Sequence, residues 1–258
     1  MKKGKQKAFI YQFTNAILVT AILFTILGLL HDAMQAESWN HMSFLAYYGA
    51  ALVVFLLALF FNNASLQYIF YREMQPLTAR TAYEYILHVS RGYYPVYLHC
   101  LIYLGSFSKT RELMQEWKPS KNQEMYAHYF NGLLAYSDQD KPALEASIQW
   151  FQTAVQDTDP KKGKQELADK ARNRRKSNFK HQLQAKAALL DDDYQTALTE
   201  LSQALENCDT NVEKVAITFD QGLAYEGLHQ KEQAHACFQK VSEGNGDLYF
   251  VKQARKRI

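Results

Sequence analysis

The chain has 258 residues, of which 48% are hydrophobic, and 29 Lys and Arg against 26 Asp and Glu leave a formal net charge of +3. So small a net charge gives no argument for nucleic acid as a general partner. The three cysteines, Cys100, Cys208 and Cys237, are far apart and lack paired or zinc-ligand spacing, which predicts reduced, packed thiols. Composition therefore argues against nucleic-acid-binding, zinc-binding and disulfide-bonded classes.

Two uncharged apolar runs come first along the chain. Residues 8–30 contain no Asp, Glu, Lys or Arg, and a second run starts at Met42 with its apolar centre at 44–61. A helix of about 20 apolar residues crosses a bilayer, so both runs predict membrane spans. Lysines precede the first span, arginines follow the second, and the loop 31–41 has neither. We therefore expect a two-span protein of the cell membrane with both termini cytoplasmic.

The rest of the chain shows helical periodicity. Apolar residues recur at i, i+3, i+4 and i+7 over most of 77–257, which favours helices over strands. The predicted fold class is all-α, beginning with a transmembrane hairpin. The predicted parts are a basic cytoplasmic tail (1–7), a two-span anchor (8–71), juxtamembrane helices with an irregular helix pair (72–124), and helical repeats with a C-terminal capping helix (125–258).

Two segments, 178–211 and 215–248, share one pattern of small and large apolar residues. The matching positions are Ala185, Ala188, Ala197, Leu201 and Ala204 in the first segment and Gly222, Tyr225, Ala234, Phe238 and Val241 in the second. This spacing resembles the tetratricopeptide repeat, a helix pair in which small residues allow close approach and aromatic residues fill the space to the next pair. A looser copy covers 125–158, and 80–117 resembles a helix pair in architecture only. The resemblance implies an α-solenoid.

The turns of these repeats carry two further features. Gly227 suits a left-handed helix C terminus between the last two helices. Asp191, Asp192 and Asp193 form the equivalent turn one repeat earlier. Three neighbouring carboxylates can suggest a metal site, but a solvated cap beside a helix N terminus is the favoured interpretation.

Tetratricopeptide domains are interaction scaffolds, and the resemblance implies a groove, lined by the first helix of each pair, that takes a peptide or helix of a protein partner. Because this surface is aromatic and mixed, with one obvious cation, it departs from the subclass that clamps a C-terminal carboxylate. Some of its aromatic residues are expected in the core. The predicted groove residues are Tyr126, Tyr129, Phe130, Leu133, Phe179, Gln182, Lys186, Phe219, Asp220 and Leu223.

The most basic stretch is 161–180, which holds nine Lys and Arg against two acids. Two interpretations stay open: a solvated helix, or contact with anionic lipid headgroups. The predicted contact residues are Lys161, Lys162, Lys164, Arg172, Arg174, Arg175 and Lys176.

The chain has no Gly-rich phosphate loop, His-Glu-x-x-His or nucleophile elbow, so we predict neither an enzyme nor a cofactor or metal. The expected function is a membrane-tethered cytoplasmic scaffold that recruits protein partners at the inner membrane face. Two alternatives stay open. One is an accessory or regulatory subunit of an integral membrane transporter or synthase complex, and the other is an anionic-lipid-binding module acting through 161–180.

Overall fold

The computed structural model describes residues 66–86, 93–154 and 164–258, together with isolated positions between 17 and 56. The chain divides into two compact units, residues 1–69 and 70–258. In the first unit every described position lies in helical backbone. The secondary structure described in both units is helical, with turns and no strand, which confirms the all-α class.

No helix within the described ranges is long and apolar enough to cross a membrane. The longest of them, Lys164–Leu190, has 27 residues, but charged residues interrupt it throughout, whereas a spanning helix needs about 20 predominantly apolar ones. This finding contradicts the predicted transmembrane hairpin and the two-span cell-membrane location. The two runs on which that prediction depended, 8–30 and 42–61, lie almost entirely outside the described residues.

Ten helices are described in the second unit. They are α1 (Pro76–Ile86), α2 (Tyr94–Tyr103), α3 (Phe107–Glu116), α4 (Glu124–Ser137), α5 (Lys141–Ala154), α6 (Lys164–Leu190), α7 (Tyr194–Glu206), α8 (Asn211–Gly227), α9 (Lys231–Ser242) and α10 (Tyr249–Ala254). Helices α2 to α9 form four consecutive pairs. The first helices of these pairs contact one another in order, and each second helix contacts the first helix that follows it. This neighbour-to-neighbour packing fits an α-solenoid.

The same backbone turn joins the two helices of every pair. Each turn has one residue with a positive φ: Gly105 (79°), Gln139 (58°), Asp192 (57°) and His229 (59°). The backbone N–H of the following residue donates to the carbonyl five positions earlier, from Ser106 to Leu101, Asp140 to Ala135, Asp193 to Ala188 and Gln230 to Tyr225. This is the Schellman ending of a helix. Its recurrence makes the four pairs equivalent units, including the first, which lacks the sequence signature.

Gly227 was predicted to be the left-handed residue of the last pair, but this prediction was wrong, because His229 has that conformation. Gly227 is the final residue of α8, and close approach is what requires a glycine there. A Cβ at this position would overlap the Tyr194 ring, so a larger residue would displace that ring from its place against α8.

The three consecutive aspartates have three separate roles. Asp191 accepts hydrogen bonds from the Lys141 ammonium at 2.6 and 2.9 Å. Asp192 is the left-handed residue of its turn. Asp193 caps α7, because its Oδ1 accepts the Thr196 backbone N–H at 3.1 Å. The interpretation of this run as a helix cap is confirmed.

An aromatic cluster surrounds His99 in the core of the second unit. The imidazole is 1% exposed, and its Nδ1 lies 3.2 Å from the Tyr71 hydroxyl. Burial, with a smaller contribution from Arg175, lowers the pKa of His99 to about 3. The ring is therefore neutral at physiological pH. The neighbouring rings, with centroids 4.7–5.9 Å away, are Phe70, Tyr71, Tyr103, Tyr129 and Phe130.

We expect His99 to make stability fall as the pH decreases below about 6.5. Between that pH and about 3 the unfolded chain binds a proton at His99 that the folded chain excludes, so acid favours unfolding. His99→Phe keeps a ring in the cluster and removes this proton uptake. Relative to the variant, the free energy of unfolding of the wild type should fall by up to about 3 kcal/mol between pH 6.5 and pH 4. Denaturant unfolding measures this difference. Equal pH slopes would contradict the buried, neutral histidine.

The packing of α9 gives a second prediction. Ala234 is 5% exposed on the face that also carries the buried Phe238 and Val241, so Ala234→Leu overfills a close helix contact. We expect a loss of about 1–3 kcal/mol in the free energy of unfolding. Ala236→Leu is the matched control, because Ala236 is exposed on the same helix and its replacement should change little. Equal unfolding midpoints for the two variants would contradict this helix register.

Candidate functional site

A cavity of about 540 Å³ lies among the first helices of the four pairs. Helices α2, α4, α6 and α8 supply most of its wall, and α3 and α10 complete it. The lining is mainly apolar and aromatic, with a few polar side chains. The lining includes Tyr103, Phe107, Arg111, Leu133, Tyr136, Gln182, Lys186, Phe219, Asp220, Leu223, Tyr249, Phe250 and Arg257.

The last helix covers one side of this cavity. The Tyr249 ring packs edge-on against Phe107 of α3, with centroids 5.4 Å apart. Phe250 packs against Tyr103 of α2 at the same separation. At the α2–α3 turn, a Cβ on Gly105 would lie 2.7 Å from the Tyr249 ring. The concave face that a solenoid usually leaves open is therefore partly covered by the chain itself.

A buried ion pair forms part of the cavity wall. Lys186 Nζ of α6 donates to Asp220 Oδ2 of α8 at 2.8 Å, and the two side chains are only 5% and 3% exposed. The ammonium also lies 4.5 Å from the centroid of the Tyr136 ring, a favourable cation–π arrangement. Burial raises the pKa of the Asp220 carboxyl, and the lysine opposes that rise. The pair joins the first helices of adjacent repeats and presents polar atoms to an otherwise apolar wall.

A row of hydrogen bonds extends from the cavity wall into the core. The Tyr129 hydroxyl donates to Gln182 Oε1 at 2.8 Å, the Gln182 amide donates to Asn178 Oδ1 at 3.0 Å, and the Asn178 amide donates to Glu213 Oε2 at 3.3 Å. Burial raises the pKa of Glu213, and the Arg175 charge partly offsets the rise. Because buried polar groups are costly without partners, this row fixes the register of α4, α6 and α8.

Two arginines stand at the rim of the cavity, and both are paired. Arg111 Nε donates to Asp138 Oδ2 at 3.0 Å. Arg257 Nη1 donates to Glu226 Oε2 at 3.0 Å. The rim is therefore polar but locally balanced in charge. Among the side chains that the structure describes, no group of three or more His, Cys, Asp or Glu is placed to hold a metal ion.

The structure brings together seven of the ten predicted groove residues, which line the cavity: Tyr129, Leu133, Gln182, Lys186, Phe219, Asp220 and Leu223. Two others belong to the core, since Phe130 and Phe179 are fully buried. Phe179 stacks on Tyr129 with centroids 3.8 Å apart. Tyr126 lines a separate, smaller pocket.

Sequence reasoning did not identify the residues that α2, α3 and α10 contribute. Tyr103, Phe107, Tyr249 and Phe250 lie outside the repeat signature, so nothing in that pattern assigned them to the groove. The adjacent aromatic residues at the start of the last helix were the available signal, because a polar terminal cap has no need of two exposed rings.

The predicted anionic-contact residues do not share one exposed face. Arg172 is exposed. Arg174 pairs with Asp209 at 3.0 Å, and Lys176 is only 8% exposed. Arg175 is half-buried and bonds within the fold.

The remaining three predicted contact residues precede this part of α6. Lys161 and Lys162 lie outside the described residues, and Lys164 is the first backbone position of α6. Within the described part of the basic stretch, some of the basic side chains are thus buried in the fold and others are exposed.

Comparisons of the chain with protein-family models, curated proteins and solved structures find no match. The fold and the cavity define a class, an all-α protein whose four helix pairs stack as a solenoid around a partly open central cavity. The tetratricopeptide resemblance stays a prediction that rests on the residues given above.

The ion pair in the cavity wall gives a stability prediction. Lys186→Met leaves the buried Asp220 carboxyl without its cation and should cost about 3–5 kcal/mol in the free energy of unfolding. The double variant Lys186→Met/Asp220→Leu removes both charges and should regain most of that loss. Denaturant unfolding of the two variants checks this. A double variant no more stable than the single one would contradict the structural role of the pair.

Proposed function

We propose that this chain is a protein-interaction scaffold whose central cavity accepts an apolar anchor residue from a short segment of a partner. The observation that carries the proposal is the cavity of about 540 Å³ lined by the first helices of the four pairs. Ligand sites typically measure about 300–1,000 Å³. A whole partner helix is about 10–12 Å across with its side chains and is too large for this cavity. Of the two occupants expected from the sequence, a peptide or a helix, we therefore propose the peptide.

The lining supports an apolar anchor. Phe107, Leu133 and Leu223 come from three different helices and face the same cavity. Burying one Leu or Phe side chain among them would stabilise a complex by about 1.5–3 kcal/mol. Gln182 and the Lys186–Asp220 pair supply the few polar atoms that would orient the backbone next to the anchor.

A neighbouring surface depression favours a chain segment, and not an isolated small molecule, as the ligand of the cavity. It has a volume of about 840 Å³ and is lined in part by His229, His235 and Phe238. Arg257 lines both this depression and the cavity. A segment anchored in the cavity can therefore continue across Arg257 into the depression. A polar rim around an apolar centre is also the usual anatomy of protein interfaces.

Selection of short peptides from a random library against the full chain tests this function. Selected peptides should share one apolar residue, and Leu223→Trp, which fills the cavity, should weaken their binding at least about tenfold. Ala236→Trp is the control, because Ala236 is exposed on α9 and does not line the cavity; it should leave the affinity within about twofold.

Two outcomes would contradict the proposal. One is that the selected peptides bind the Leu223→Trp variant as tightly as wild type, which would place their site elsewhere. The other is that no peptide carrying an apolar residue is enriched, although both variants are folded.

A further inference from the structure

A second concavity, of about 350 Å³, lies between the start of α4 and the N-terminal half of α6, away from the central cavity. Four of its lining residues carry hydrogen-bond donors: Asn122, Tyr126, Arg172 and Arg175. Among the residues that the structure describes, the single acid in the lining is Asp209. Arg172 and Arg175 belong to the most basic stretch of the sequence, 161–180, none of whose described residues lines the central cavity.

The two arginines converge on the pocket because of their spacing. Arg172 and Arg175 are three residues apart on α6, so they lie on one face of that helix. Arg175 is held in place, since its Nη1 donates to the Tyr126 hydroxyl at 2.8 Å. Tyr126 is itself fixed by ring contact with Phe179, with centroids 5.7 Å apart. One guanidinium is thus preorganised, and the other is exposed beside it.

The charge balance of the pocket favours an anion. The Asp209 carboxylate is engaged by Arg174 at 3.0 Å, and Arg174 is not part of the lining. Glu213, a carboxylate whose charge favours the cationic form of Arg175, is 3% exposed in the core and does not line the pocket. Two guanidinium groups, a hydroxyl and an amide therefore line one concave space, and the one acid among its described lining residues is already paired.

The geometry points to a phosphate monoester as the ligand of this pocket, and we propose Arg172 and Arg175 as its charged contacts. Guanidinium groups bind tetrahedral oxyanions through two parallel hydrogen bonds. The Tyr126 hydroxyl and the Asn122 amide can donate to the remaining oxygens. The volume leaves room for part of the group that carries the phosphate. A bilayer surface is flat, whereas these donors line a recess, so a discrete phosphate fits them better than a lipid surface does.

Titration calorimetry of the full chain tests the proposal, with phenyl phosphate as the probe and chloride as the reference anion at matched ionic strength. Arg172→Gln should weaken phenyl phosphate binding about tenfold, the usual effect of losing one charge-assisted hydrogen bond. Lys170→Gln is the matched control, because Lys170 is an exposed cation on the same helix outside the lining. It should retain the wild-type affinity within about twofold. Arg172 is exposed, so its replacement should leave the unfolding midpoint unchanged.

Two further probes distinguish the sources of the phosphate. A short peptide with one phosphoserine that binds more tightly than free O-phosphoserine assigns the site to a modified protein partner. Equal affinities assign it to a free phosphate ester.

Three results would overturn the proposal. The first is phenyl phosphate binding no tighter than chloride. The second is an equal loss of affinity in Arg172→Gln and Lys170→Gln, which would indicate unspecific attraction. The third is that the chain binds vesicles with 20% phosphatidylserine but does not bind phenyl phosphate, and that Arg172→Gln leaves the vesicle binding unchanged.

Discussion

Tyr249 and Phe250 of the last helix pack against Phe107 and Tyr103 of the first helix pair. In a solenoid each repeat contacts only its neighbours, so four pairs would ordinarily leave an open concave face. This contact instead connects the end of the stack with its beginning. It depends on Gly105, because a Cβ there would lie 2.7 Å from the Tyr249 ring. The shape of the cavity, and with it the size of any partner group that fits, depends on this contact.

Burial determines the chemistry of the polar groups in the cavity wall. Polar groups that line an open groove can exchange hydrogen bonds with water, whereas those in a closed interior need partners within the protein. Lys186 with Asp220, and Gln182 between Tyr129 and Asn178, meet this requirement across adjacent first helices. A shift of one helix by a turn would separate these partners, so the same polar groups that orient a ligand also define the packing register.

The sequence predicted what local patterns encode. Helical periodicity gave the all-α class, and the Asp193 cap and the helices at 178–248 followed from residue types at short spacing. Most of the predicted groove residues do line the central cavity, because helix periodicity determines which side chains share a face. The first pair was harder to identify, since its equivalence to the others lies in the backbone turn at Gly105 and not in its side-chain pattern.

What the sequence could not provide is the pairing of distant surfaces. Periodicity shows that α10 has an apolar face. It does not show that Tyr249 packs against Phe107, which lies about 140 residues earlier in the chain. Charge counts likewise treated 161–180 as one basic surface, although Arg175 and Lys176 fold inward and Arg172 stays exposed. Gly227 was assigned a left-handed turn because glycine serves both that role and close packing, and only the position of Tyr194 distinguishes the two.

The closure by α10 is tested most directly by nuclear Overhauser effects in the full chain with selectively labelled glycine and aromatic residues. We expect strong cross-peaks between the Gly105 α-protons and the Tyr249 ring, and between the rings of Tyr249 and Phe107. Absence of these cross-peaks, with α2, α3 and α10 otherwise helical, would mean that α10 does not cover the concave face. The cavity described above would then not exist in solution.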